Sequence, residues 1–145
     1  MSDLILSERD GDVVTITLNN PEKRNALPLA AWSRLTYVIA PLALDETVRC
    51  IVIRGAGDRA FAAGADISEF PDVRANAKQA AKYTEATSMA LNTLSHCPHP
   101  TVAMIQGACT GGGLEIASCC DIRVANTSAR FGVPIARIGN PFAYP

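Results

Sequence analysis

The sequence predicts an α/β protein with largely buried strands. Short β-branched or apolar runs alternate with segments of helical periodicity, in the order strand, helix, strand, helix, strand, helix, strand. The runs are apolar almost throughout, as in strands covered on both faces. Glycine- and proline-bearing punctuation separates them.

Val13–Leu18 (VVTITL) is β-branched and ends at the turn signal Asn19-Asn20-Pro21, so it reads as a strand. Residues 26–44 place Leu27, Ala31, Leu35, Val38 and Ile39 at helical spacing, with Pro28 near the first turn. A helix is expected to about Ala40, closed by Pro41. Residues 48–53 (VRCIVI) form a short apolar strand, followed by a glycine-bearing loop over 55–58. FAAGAD, residues 61–66, is a loop of small residues. Residues 75–94 combine good helix formers and stop before Pro98 and Pro100. Thr101–Ile105 (TVAMI) is the next strand, and residues 107–113 form a second small-residue loop. A helix starts over 114–119, and Ile122–Ala125 (IRVA) is another strand. The sequence shows no low-complexity tract and no repeat.

At 145 residues, 48% hydrophobic and 19% charged, the chain fits one globular domain spanning 1–145, able to bury a core without disulfide or metal staples. A formal net charge of −1 gives no basic excess, so no nucleic-acid partner is expected. The five cysteines include no C-x-x-C pair, which argues against a zinc or redox site and for reduced, mostly buried thiols. No apolar run approaches the roughly 20 residues of a membrane span. The opening MSDLILSERDGD lacks the basic segment and apolar stretch of a secretion signal, so a cytoplasmic location is expected.

The chemistry concentrates in ACTGGGLEIASCCD, residues 108–121. Glu115 stands three residues after the middle glycine, where an apolar helix begins, and acids are seldom buried without a partner or a task. Glycines ahead of a helix let a ligand approach backbone amides that have no partner within the helix. The plainer alternatives are a tight strand-to-helix turn and a first-turn acid stabilised by the helix dipole. No G-K-[ST] ending or G-x-G-x-x-G fingerprint supports a nucleotide site. Because helical side chains lean toward the amino terminus, the Glu115 carboxylate reaches back over the turn that holds Gly112. A base beside an anion-stabilising amide suits proton abstraction next to a carbonyl. A second donor is expected from the 61–67 loop, which follows a strand just as the glycine triplet does.

Taken together, NNPEKRNAL (19–27), FAAGADISEF (61–70), HPTVAMIQGACTGGGLEIASCCDIRVA (99–125) and ARFGVP (129–134) resemble the crotonase superfamily, the enoyl-CoA hydratase/isomerase family. The pieces occur in the family's order and cover nearly the whole chain. The resemblance implies a spiral of ββα units and an acyl-CoA thioester substrate, with coenzyme A part of that substrate and no separate cofactor or metal. Ala65 and Gly112 match the two oxyanion amides, and Glu115 matches a general acid/base. The loop containing Ala63, Gly64, Ala65, Asp66 and Ile67 resembles the part that wraps the adenine and pantetheine. Gly111 belongs to the matching glycine turn, and Arg24 and Ala26 fall in the first CoA-contacting segment. Lys23 or Arg24 would suit a phosphate, against the plainer reading of a solvated turn. Asp66 and Asp121 are expected to brace their loops. His96 and His99 flank a proline turn without a partner acid, which argues against a nucleophile triad. Homotrimers or hexamers are the assemblies the family implies.

The chain departs from that pattern twice. Hydratases of the family carry a second glutamate shortly after the F-G-x-P turn, and here the position is Ile135. Hydration is served by two carboxylates, whereas a double-bond shift can run on one base that takes and returns a proton. The specific reaction is left open. After Asn140 the chain ends in PFAYP, where the family pattern continues, so the carboxyl-terminal helical part is expected to be absent. A chain of this length should then expose apolar surface. Three readings compete: an acyl-CoA lyase or isomerase, a non-catalytic acyl-CoA-binding or impaired fragment, and a nucleotide-binding α/β domain.

Overall fold

A computed structural model describes residues 3–134. Eight strands form two sheets. The larger has the order β1-β2-β3-β5-β7, built from Ile5–Asp10, Val13–Leu18, Cys50–Gly55, Thr101–Ile105 and Ile122–Ala125. The smaller has the order β4-β6-β8, built from Ala60–Ala62, Ala108–Thr110 and Arg130–Gly132. Only β1 and β2 pair antiparallel; the remaining pairs are parallel. The helices are α1 (Leu29–Leu42), α2 (Phe70–Val73), α3 (Ala77–Ser95) and α4 (Gly112–Cys119).

The expected α/β class holds, and it contains a structural repeat that the sequence hides. Strand pairs β3–β4, β5–β6 and β7–β8 each send their first member to the large sheet and their second to the small one. Helices α3 and α4 close the first two units, so the chain winds as a spiral of ββα units. The second strands are only 3 residues long, too short to show a period; β4 and β6 fall at or in stretches read as small-residue loops, and β8 in the F-G-x-P turn.

Elements and boundaries also differ from expectation elsewhere. Strand β1 was not anticipated because Ile5 is its one buried residue; it is a polar edge strand held by its hairpin to β2. Pro41 lies inside α1 rather than closing it. It occupies the last turn, where the missing N–H removes one bond and the Ala43 amide still reaches Ile39 O at 3.1 Å. Strand β3 begins at Cys50, two residues later than read. Helix α4 begins at Gly112, inside the expected loop.

One core joins the elements. Ile16, Leu18, Ile51, Ile53 and Ile105 from the large sheet meet Trp32, Leu35 and Ile39 of α1, Leu94 of α3, and Ile116 of α4. Asp121 fixes the start of β7 to the start of β5, because its carboxylate accepts from the Thr101 amide and hydroxyl, both at 2.8 Å. Edge strand β7 is exposed along its length, with Ile122 and Val124 more than half accessible.

Candidate active site

Strands β4 and β6 are parallel neighbours, so the loops leaving their carboxyl ends stand side by side. The first loop is held against the 24–27 segment. The Leu27 amide donates to Gly64 O at 2.8 Å and the Asp66 amide to Leu27 O at 2.9 Å. In that parallel bridge Ala65 is the residue opposite Leu27, so its own N–H points to the other side. The Ala63 amide donates to Arg24 O at 2.9 Å, and the Thr110 hydroxyl donates to Ala63 O at 3.0 Å. The two loops are thereby tied directly to each other.

Their approach is backbone on backbone, and glycine makes it feasible. Gly64 has φ +100°, and a methyl group there would stand 3.0 Å from Thr110 O and 3.1 Å from the Gly112 nitrogen. A methyl group on Gly112 would lie 2.8 Å from Trp32 Cζ2 and 3.6 Å from the Ala65 nitrogen. Gly112 opens α4, where an N–H has no acceptor within the helix.

Around these loops lies a cavity of about 750 Å³, within the size range of small-molecule sites. Ala26, Ala63, Gly64, Ala65, Asp66, Ile67, Gly111, Gly112 and Glu115 all line it. Arg24 does not. It adopts a left-handed conformation at φ 53°, and its side chain borders a separate depression of about 50 Å³. Ile135 lies outside the described residues, so the position expected to carry a second acid has no geometry here.

Glu115 is half-buried, its amide donates to Gly111 O at 3.1 Å, and its carboxylate has no hydrogen-bond or ion-pair partner among the described residues. Burial alone pushes its carboxyl above the ordinary glutamate range. Asp66 is handled differently. Burial pushes it up, but the Lys23 ammonium at 2.7 Å and the Ser68 hydroxyl and amide together hold it below the usual value. Glu69 accepts the Leu29 amide at 2.5 Å and so caps α1, whose N-cap residue Pro28 offers no side-chain acceptor. Burial raises its carboxyl.

Lys23, expected to suit a phosphate, also lines the cavity, and so do residues not singled out from sequence: Trp32 of α1, Phe70 of α2, Arg74 beyond it, and Tyr83, Thr84 and Thr87 of α3. Trp32 and Tyr83 belong to the core as well, at 1% and 4% exposure. Among the described residues no group of three or more His, Cys, Asp or Glu is placed to hold a metal ion. His99 Nε2 is 3.0 Å from Leu42 O, and His96 Nδ1 is 2.9 Å from Asn92 O, so both rings are engaged locally.

The fold and cavity define a two-sheet ββα-spiral protein with a ligand-sized cleft where paired strand-end loops meet an unpartnered acid. The chain belongs to the enoyl-CoA hydratase/isomerase family, whose model matches residues 8–143. It is 36% identical over 135 residues to a short-chain-enoyl-CoA hydratase of Clostridium acetobutylicum, covering 93% of this chain and 51% of that protein. A crystal structure of an enoyl-CoA hydratase/carnithine racemase from Magnetospirillum magneticum superposes with a TM-score of 0.95 at 46% identity. That match covers all of this chain and 54% of the other. A putative enoyl-CoA hydratase/isomerase family protein from Hyphomonas neptunium gives a TM-score of 0.92 at 36% identity, with 100% and 55% covered. The chain thus spans about half the length of these relatives. No described helix is long and apolar enough to cross a membrane.

Proposed function

We propose that the chain is a single crotonase-like domain that binds an acyl-CoA thioester and moves a proton at the carbon next to its carbonyl. In this reading the amides of Ala65 and Gly112 share the thioester oxygen, and Glu115 is the acid/base. The observation that carries it is the contact between the two loops, with the Ala65 N–H turned away from Leu27 and the Gly112 N–H first in its helix. Each donor of such a pair is worth on the order of 3 kcal/mol to the transition state. The enolate that forms when Glu115 takes the α-proton holds its negative charge on that oxygen. Returning the proton to the same carbon gives exchange, and returning it along a conjugated acyl chain shifts the double bond. One carboxyl group suffices for either. Coenzyme A arrives with the substrate, its carrier arm following the 63–67 loop and the 24–26 segment.

The test is deuterium incorporation into butyryl-CoA in D2O. Glu115→Gln should retain thioester binding and lower exchange ~1,000-fold, since the proposed base is gone. Exchange at the parental rate in that variant removes Glu115 from the mechanism. A binding-only role is the second reading, favoured by Ile135 standing where hydratases carry an acid. Thioester binding with no exchange, isomerisation or hydration in the parent chain selects it.

A further inference from the structure

Arg74 is unaccounted for by that mechanism, and its setting points to the acyl group the cavity takes. Its guanidinium carbon lies 4.7 Å from the centroid of the Phe70 ring and 5.3 Å from that of Tyr83. The two rings meet edge to face at 5.6 Å, so the cation rests on a rigid aromatic corner. Arg74 lines the main cavity and makes no ion pair among the described residues. Of the acids in these segments, Glu69 is engaged by the Leu29 amide and Asp66 by Lys23 and Ser68, and neither Asp72 nor Glu115 forms an ion pair with Arg74.

The wall beside Arg74 is aromatic, with Trp32 and Tyr83 lining the cavity while their polar atoms are buried. The Tyr83 hydroxyl and the Trp32 indole N–H are sealed without a hydrogen-bond partner. Trp32 in turn abuts Gly112, where a methyl group would stand 2.8 Å from Cζ2. Gly112, Trp32, Tyr83 and Arg74 line the same cavity, Gly112 against Trp32 and Arg74 against Tyr83, so the proposed thioester site and the guanidinium share one cleft. A hydrocarbon acyl chain lying there would desolvate a cation that cannot shed its proton, with nothing to pair it. A carboxylate would meet it with parallel, charge-assisted hydrogen bonds.

We propose that Arg74 is a specificity residue that selects enoyl thioesters whose acyl group ends in a carboxylate. The proposal rests on the thioester reading above. Calorimetric titration of the chain with free CoA, crotonyl-CoA, glutaconyl-CoA and the glutaconyl methyl ester tests it. The acid should bind at least ~10-fold more tightly than its methyl ester, a difference of about 1.4 kcal/mol. Arg74→Met should abolish that preference while leaving crotonyl-CoA and free CoA within about twofold, which also shows that the variant is folded. Arg74→Lys should restore part of it. Equal binding of acid and ester by the parent chain overturns the proposal. So does an Arg74→Met variant that weakens free CoA and every thioester alike, because Arg74 would then serve the carrier's phosphates. Absence of binding by any thioester sinks the thioester reading together with this one.

Discussion

Glu115 and Asp66 border the same cavity, yet their surroundings move their protons in opposite directions. Glu115 is raised by burial without a partner, so its folded form holds a proton more tightly than the unfolded chain does. Its contribution to stability is present at low pH and lost as pH rises through the raised value. Glu115→Gln should therefore gain stability relative to the parent as pH rises across that window, measured by urea unfolding at a series of pH values. The exchange rate of the parent should rise over the same window, because the base must be ionised. A pH-independent difference between the two proteins would contradict both statements. Asp66 is depressed by its Lys23 and Ser68 partners despite burial. Its contribution is present at neutral pH and fades as pH falls below the ordinary aspartate value of about 3.9. Asp66→Asn should flatten the acid limb of the unfolding curve, and an unchanged limb would assign acid sensitivity elsewhere.

At the scale of elements, helices α1 and α4 begin against the cavity, and each start depends on a distant segment. The amino terminus of α1 is satisfied by Glu69, forty residues away in sequence. Removing that acceptor with Glu69→Ala should cost about 1 kcal/mol, read as a lower unfolding midpoint. Helix α4 packs so closely on β4 that a methyl group at Gly113 would collide with Ala62 O and stand 2.8 Å from Ala62 Cβ. Gly113→Ala should destabilise the chain by about 3 kcal/mol and displace Glu115, lowering exchange as well as stability. Normal stability in that variant would mean that the β4–α4 contact relaxes easily.

Among the described residues, apolar side chains are exposed on and near the last strand of the large sheet. Met104, Ile122, Val124, Phe131 and Val133 are exposed, and Ile122 and Val124 lie on edge strand β7. An open edge with apolar side chains invites pairing with another chain. The double substitution Ile122→Lys, Val124→Lys should shift sedimentation toward monomer with little change in unfolding midpoint. Unaltered self-association would show that this edge is not the sticky one.

How much was legible in sequence divides along physical lines. Long apolar runs and periodic helices announce themselves locally, so Val13–Leu18, Thr101–Ile105, Ile122–Ala125 and the two long helices could be read directly. The glycine turn with Glu115 was legible too, because an acid opening an apolar helix is a local anomaly. Three-residue strands carry no period, and β1 buries one residue, so their pairing had to come from neighbours distant in sequence. The same holds for the cavity wall. Trp32, Tyr83 and Arg74 belong to separate segments, and only folding brings them to one cavity and leaves Arg24 at a separate depression. Sequence alone determined the α/β class, the order of its main elements and the acid at the start of α4. Tertiary structure decided which loops lie side by side and that Arg74 lines the cavity, because both depend on contacts between segments that share no local pattern.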